Sequence, residues 1–208
     1  AASDVYKRQH VAIIMDGNSR WARQRNLKTI EGHKQGVNRL RDIVKYSAKS
    51  EITHLSVFAF STENWKRSAS DVSDLMKLFL QSIIKEVPEL IENKVQLNFI
   101  GDIPRFSKSL VSQINSAMKD TQAKKPNLNL NVAISYGGRW DILNAIKRIK
   151  DHKINTDKLS EDEFSNLLST SDFPDPDLLI RTGDEIRISN FFLWQISYSE
   201  LYLSLIHI

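Results

Sequence analysis

The sequence predicts one α/β domain: a mostly parallel central sheet of about six strands flanked by helices. Three observations carry this. Short apolar runs recur along the 208 residues with helix-period segments between them. Polar clusters stand directly after four of those runs, where a parallel sheet opens its ligand-binding edge. One long segment, Asp71–Val87, carries an apolar face broader than a simple stripe.

In chain order, Val11–Met15 reads as a buried strand running into Asp16, Gly17, Asn18, Ser19 and Arg20. Val37, Leu40, Val44 and Ala48 form a helical stripe. His54–Phe60 is the second strand and leads into STENWKR, Ser61–Arg67. In Asp71–Val87, Val72, Leu75, Met76, Phe79, Leu80, Ile83 and Val87 keep the 3.6-residue period, and Leu78 and Ile84 widen the face. Ser68, three residues before Asp71, offers it a capping box. Taken alone, that breadth fits a deeply buried helix. The sharper reading puts one side on the sheet and the other along an apolar cavity. Val95–Ile100 is the third strand. Phe106, Leu110, Ile114, Ala117 and Met118 form the next stripe. Leu128–Ser135 is a strand ending in YGGRW, Tyr136–Trp140. Trp140, Leu143, Ile146 and Ile149 form a third stripe. Leu178–Arg181 leads into RTGDEIRIS, and Glu200–Leu203 is the last strand.

Composition narrows the function. Hydrophobic content of 41% and charged content of 26% are ordinary for a globular domain. The absence of cysteine excludes a disulfide scaffold, a Cys-based zinc site and a Cys nucleophile, and fits a reducing cytoplasm. No apolar run approaches the roughly 20 residues that span a bilayer, and the first nine residues lack the apolar core of a signal peptide. The formal charge of +4 points to anionic partners.

The strand-end clusters say which anions. A loop with free N–H groups and an Arg suits a phosphate, and an adjacent Asp suits a divalent cation. In a parallel sheet the four clusters open on one edge, so Arg20, Arg67, Arg181 and Arg187 converge on one pocket suited to a diphosphate. Each residue also has a plainer reading: Arg20 or Arg187 as a solvated cation, Trp65 as a lid on the core, His33 as a cap at a helix start. Taken together, the four clusters outweigh those readings. No Walker A, GxGxxG, GxSxG, HExxH or DDxxD sequence competes. Basic residues outside the loops are interleaved with acids, against a nucleic-acid binder.

The blocks HVAIIMDGNSRWA, EGHKQG, FAFSTENWKR, IGD with Arg105, YGGRWD and DLLIRTGDEIRISNFFLWQISYSELY resemble the cis-prenyltransferases in order and spacing, from about His10 to Tyr202. The resemblance implies sequential, cis-selective condensation of isopentenyl diphosphate onto an allylic diphosphate such as farnesyl diphosphate. It implies Mg²⁺ as cofactor and a long polyprenyl diphosphate, such as undecaprenyl diphosphate for a cell-wall lipid carrier, as product. It further implies a homodimer in the cytoplasm with peripheral membrane contact for product release. By position, Asp16, His33 and Asn64 match catalytic residues. Gly17, Asn18, Ser19, Arg20 and Trp21 match the allylic diphosphate cradle, with His33 near the leaving group. Ser61, Thr62, Glu63, Asn64, Trp65 and Arg67 match a mobile substrate loop. Arg181, Arg187 and Ser189 match the isopentenyl diphosphate site. Asp16 and Glu200 match metal carboxylates, Glu200 in its own site or the partner subunit's. The resemblance also implies an apolar tunnel between sheet and helices, with Leu75, Leu78, Phe79 and Ile83 in its wall.

Departures from the family pattern are Ser19 for Gly, Thr29 for Arg, Asp71 for Glu, Ser135 for Asn and Ile186 for His. The domain is expected over 10–203, with tails unlike the family over 1–9 and 204–208. The family's Arg-rich C-terminal segment is missing, so the chain is expected to be truncated. A non-catalytic family subunit is the alternative, and retention of Asp16, Arg20, Arg181, Arg187 and Ser189 argues against it.

Overall fold

The computed structural model describes residues 8–204, so residues 1–7 and 205–208 of the expected tails lie outside the described residues. Six strands form one sheet: β1 (His10–Ile14), β2 (His54–Ser61), β3 (Val95–Ile100), β4 (Leu128–Tyr136), β5 (Leu178–Arg181) and β6 (Glu200–Leu203). Their order is β3-β4-β2-β1-β5-β6, and every neighbouring pair is parallel. The helices are α1 (Asn18–Arg23), α2 (Thr29–Ala48), α3 (Ala69–Glu92), α4 (Lys108–Asp120), α5 (Gly138–Asp151) and α6 (Glu161–Ser165). The expected strands differ from these only by a residue at some ends. Strand β1 starts early because Asp177 accepts the N–H groups of Gln9 and His10.

Both faces of the sheet are covered, as the near-continuous apolar strands require. One face buries Val11, Ile13, Leu55, Val57, Leu97, Leu130 and Val132 against α2, α3 and α4. The other buries Ala12, Ile14, Ala133, Tyr136, Leu179, Phe191 and Phe192. A register irregularity in β2 between Phe58 and Ser61 puts Phe60 on the first face. Such a bulge re-aims the residues that follow it, here the Ser61 loop.

A polar chain crosses the second face. The His10 Nδ1–H donates to the Pro174 carbonyl at 2.6 Å, because a carbonyl can only accept. Its Nε2 then accepts from Ser56 Oγ at 2.7 Å. Asn131 donates to Ser56 Oγ, and Asn98 donates to Asn131. Buried polar groups are thus paired across four strands.

Two helices depart from their expected faces. In α3, Ser68 Oγ accepts the Asp71 N–H at 3.1 Å, the serine half of the capping box. The deep burial that its breadth fits is not found: only Ile83 and Leu90 are buried, while Leu75, Leu78 and Phe79 are half-buried beside a cavity. In α5, Leu143 and Ile146 are 59% and 50% exposed, contrary to the expected stripe. The inner face belongs instead to Gly138, Asp141 and Ala145. Asp141 accepts from Tyr136 Oη at 3.0 Å, so a paired polar side chain holds the position. Phe106 is buried but precedes α4.

Candidate active site

Strand β1 lies between β2 and β5, and the chain leaves β1 toward β2 first. The crevice beyond β1 and β5 is therefore a topological switch point, where open α/β sheets bind ligands. Asp16 follows β1 and Arg181 ends β5. Gly17 and Gly183 both have left-handed backbone, φ 97° and 81°. A Cβ on Gly183 would lie 2.8 Å from Arg20 Nη2 and 3.1 Å from the Gly17 nitrogen, so the two loops approach only because this residue has none.

Arg181 organises the centre. Its side chain is 4% exposed. Nη2 donates to Asp16 Oδ2 at 2.8 Å, and Nη1 donates to Ser189 Oγ at 2.6 Å and to the Arg187 carbonyl. The other Asp16 oxygen accepts the Gly17 N–H at 2.6 Å. Burial pushes the Asp16 carboxyl upward, but the Arg181 hydrogen bond, the Gly17 N–H and the Arg181 and Arg20 charges outweigh it and hold the group below its ordinary value. Arg20 sits among Asp16, Asp184 and Glu185 at 3.8, 3.9 and 3.5 Å. Its Nε and Nη2 are buried without a hydrogen-bond partner. Arg187 is 63% exposed and pairs with Glu185.

The second wall is the Ser61–Arg67 loop. Ser61 and Asn64 form a reciprocal capping box on the 3₁₀ turn Thr62–Lys66, with the Ser61 N–H donating to Asn64 Oδ1 at 2.9 Å. Trp65 turns away from the cavity: its ring packs on Phe60 and Phe106, and Nε1 donates to Ser135 Oγ at 2.9 Å. The Arg105 guanidinium lies 4.6 Å from the ring centroid. Trp65 thus closes part of the core and anchors the loop. Asn190, which the sequence reading missed, joins the walls. Its Nδ2 donates to Glu63 at 3.0 Å, its Oδ1 accepts the Arg139 N–H at 3.0 Å, and its carbonyl accepts the Gly138 N–H at 2.7 Å. Two signals could have found it: its place directly after Ser189, and the preference of Asn for left-handed backbone, which it adopts here with φ 63°.

His33 does not cap a helix start; it lies in the second turn of α2. Its Nε2 is buried without a partner. Burial first, and then the Arg67 charge, push it down to about 4 against the opposing pull of Asp71. Asn18 packs on α2 where Gly32 and Gly36 leave room; a Cβ on Gly32 would lie 2.0 Å from the Asn18 carbonyl oxygen.

These walls enclose a cavity of about 740 Å³. Asp16, Asn18, His33, Ser61, Glu63, Asn64, Arg67, Arg181, Arg187 and Ser189 line its polar end, and Leu75, Leu78, Phe79 and Ile83 line it along α3. Three of the four expected arginines therefore line one pocket, with Arg20 behind Asp16. Gly17, Ser19 and Thr62 stand outside the lining. Trp21 also stands outside it, with Arg25 4.4 Å over its ring. The YGGRW cluster is structural support rather than lining. Glu200 opens β6 level with Leu178, at the opposite end of the sheet from Asp16, and pairs with Arg8 at 2.6 Å. That separation, about 15 Å along the strands, rules out the own-site version of its metal role.

Residues 14–207 match the model of the family described as "Putative undecaprenyl diphosphate synthase". The chain belongs to this family. It is 44% identical over 203 residues to a ditrans,polycis-undecaprenyl-diphosphate synthase, (2E,6E)-farnesyl-diphosphate specific, of Legionella pneumophila, covering 96% of this chain and 85% of that one. It is 46% identical over 196 residues to an isoprenyl transferase of Neisseria meningitidis, covering 94% and 78%. Among solved structures, lavandulyl diphosphate synthase from Lavandula x intermedia, in complex with dimethylallyl diphosphate, superposes with a TM-score of 0.91 at 35% identity, covering 96% and 87%. A probable undecaprenyl diphosphate synthase from Campylobacter jejuni gives 0.80 at 32% identity, with the same coverage. The family resemblance and the parallel α/β fold read from the sequence both hold.

Proposed function

We propose that the chain condenses isopentenyl diphosphate repeatedly onto an allylic diphosphate, farnesyl diphosphate by preference, forming cis double bonds and a long polyprenyl diphosphate such as undecaprenyl diphosphate. The observation that carries this is the Asp16–Arg181–Ser189 constellation at the polar end of an apolar cavity. In each cycle the allylic C–O bond breaks with its electron pair on the diphosphate. The isopentenyl double bond then closes on the allylic carbon, and a proton leaves. Arg20 and the N–H groups after Asp16 stabilise the charge on the leaving diphosphate, and His33 and Asn64 stand over the reacting ends. Arg181, Arg187 and Ser189 hold isopentenyl diphosphate, while Leu75, Leu78, Phe79 and Ile83 form the wall of a tunnel that keeps water from the cation.

Mg²⁺ is the proposed cofactor. Magnesium is commonly held by one or two carboxylates with water and substrate phosphates, and Asp16 fits as that carboxylate. When bound, the ion would neutralise charge on the leaving diphosphate.

The proposed assembly is a homodimer. Among the described residues strand β6 is an edge of the sheet, with Leu201 and Tyr202 52% and 59% exposed, and such an edge invites pairing. In a dimer Glu200 would serve the partner subunit's site. The proposed location is the cytoplasm with peripheral membrane contact; no helix among the described residues is long and apolar enough to cross a membrane. The test is incubation with farnesyl diphosphate, labelled isopentenyl diphosphate and Mg²⁺, followed by product sizing, with and without chelator. Labelled long chains that vanish on chelation are expected; absence of incorporation overturns the reading.

A further inference from the structure

The cavity is walled on its solvent side by two ion pairs between α2 and α3. Arg41 grips Glu86 through two hydrogen bonds, Nε at 2.7 Å and Nη2 at 2.5 Å. Lys45 Nζ lies 2.6 Å from Glu89. All four side chains line the cavity, yet none is fully buried, so each pair faces the cavity on one side and solvent on the other. Charged pairs are an unusual seal for an apolar space: the more exposed Lys45–Glu89 pair is of the kind that parts readily in water, and the two-bonded Arg41–Glu86 pair is the firmer latch beside it.

A second observation falls at the same turn. Pro88 sits inside α3, between Glu86 and Glu89. Proline has no N–H to give the helix ladder and clashes with the preceding turn, which bends or loosens a helix there. The third observation is capacity. The cavity is finite, about 740 Å³, whereas every condensation adds one more isoprene unit to the tail. The undecaprenyl chain named in a relative is a long tail for a cavity of that size to keep.

We propose that the α2–α3 seam is a side gate: the Arg41–Glu86 and Lys45–Glu89 pairs part at the Pro88 turn and let the growing apolar tail pass out of the cavity. This rests on the proposed chain-elongating function. The seam then sets product length, because a tail that cannot leave stops growing once the cavity is full.

The absence of native cysteine gives a clean test. Arg41→Cys/Glu86→Cys is bridged with a short bis-methanethiosulfonate linker, which dithiothreitol removes. The bridged enzyme is expected to stop near the length that the cavity holds and to lose the longer chains, which return after reduction. Lys45→Cys/Glu89→Cys, expected to behave alike, serves if the first pair fails to fold. Identical product lengths in bridged and reduced enzyme overturn the gate while leaving the elongating function standing. Absence of isopentenyl diphosphate incorporation by the unaltered chain overturns the function itself and the gate with it.

Discussion

Asp16 and Arg181 are coupled, which changes how either should be probed. Replacing Asp16 by Ala would strip a buried guanidinium of its counter-ion, a loss on the scale of about 3–5 kcal/mol for buried pairs. Asp16→Asn keeps an acceptor for Arg181 and removes the charge. It should cut turnover by roughly two to three orders of magnitude, the scale of one preorganised charge-stabilising contact, with little change in melting temperature. Near-normal kcat would remove Asp16 from its role. The two arginines should separate as well. Arg187 is largely exposed, so Arg187→Ala should raise the KM for isopentenyl diphosphate by about ten-fold or more at unchanged stability. Arg181→Ala should raise that KM and also lower the melting temperature, because Asp16 and Ser189 lose their donor. Equal melting curves for the two variants would contradict this. Asp16 and Arg181 were legible because each ends or directly follows an apolar run, and Ser189 because it closes the polar segment that Arg181 opens. The turn of Trp65 onto the core was only one of two readings, since an indole in a loop can face either way and its Ser135 partner lies 70 positions on.

At the scale of the element, α3 shows what periodicity carries. The 3.6-residue spacing locates the helix, and its excess breadth marks a second apolar neighbour. Spacing does not distinguish a packed neighbour from an empty one, and the half-buried Leu78 lies on the empty side. Leu78→Trp should therefore shorten the product with little loss of stability. In a packed core the same change would cost about 1–3 kcal/mol and leave product length alone. Product sizing beside a melting curve decides between them. The α5 stripe departs from expectation for a related reason: Asp141, polar in sequence, is buried by its bond from Tyr136, and Leu143 and Ile146 face outward. A buried, paired polar residue has no signature in a hydrophobicity pattern.

For the whole molecule, burial of His10, His33 and His54, which lowers all three, weakens the fold in acid. His10 and His33 are pushed down to about 4 from an ordinary 6.5, each first by burial. Above pH 6.5 folded and unfolded chains both hold them neutral, and stability is full. As pH falls from 6.5 to about 4, the unfolded chain takes up protons that the folded one refuses, so stability falls. The fully buried His10 alone accounts for about 3 kcal/mol over that window. Denaturant midpoints at about pH 7 and 5 should show the drop, and His10→Gln should flatten it. An equal drop in that variant would acquit His10.

The one-way hydrogen-bond chain from Asn98 to Pro174 has a spectroscopic consequence. Every donor in it points the same way, from Asn98 through His10 on β1 to the Pro174 carbonyl, so no single amide can turn without breaking its neighbour's bond. Asn131 is fully buried at its centre. Its side-chain amide protons should resist exchange with deuterium until the whole sheet opens, giving a clock for global unfolding set apart from the opening of the helices over the cavity.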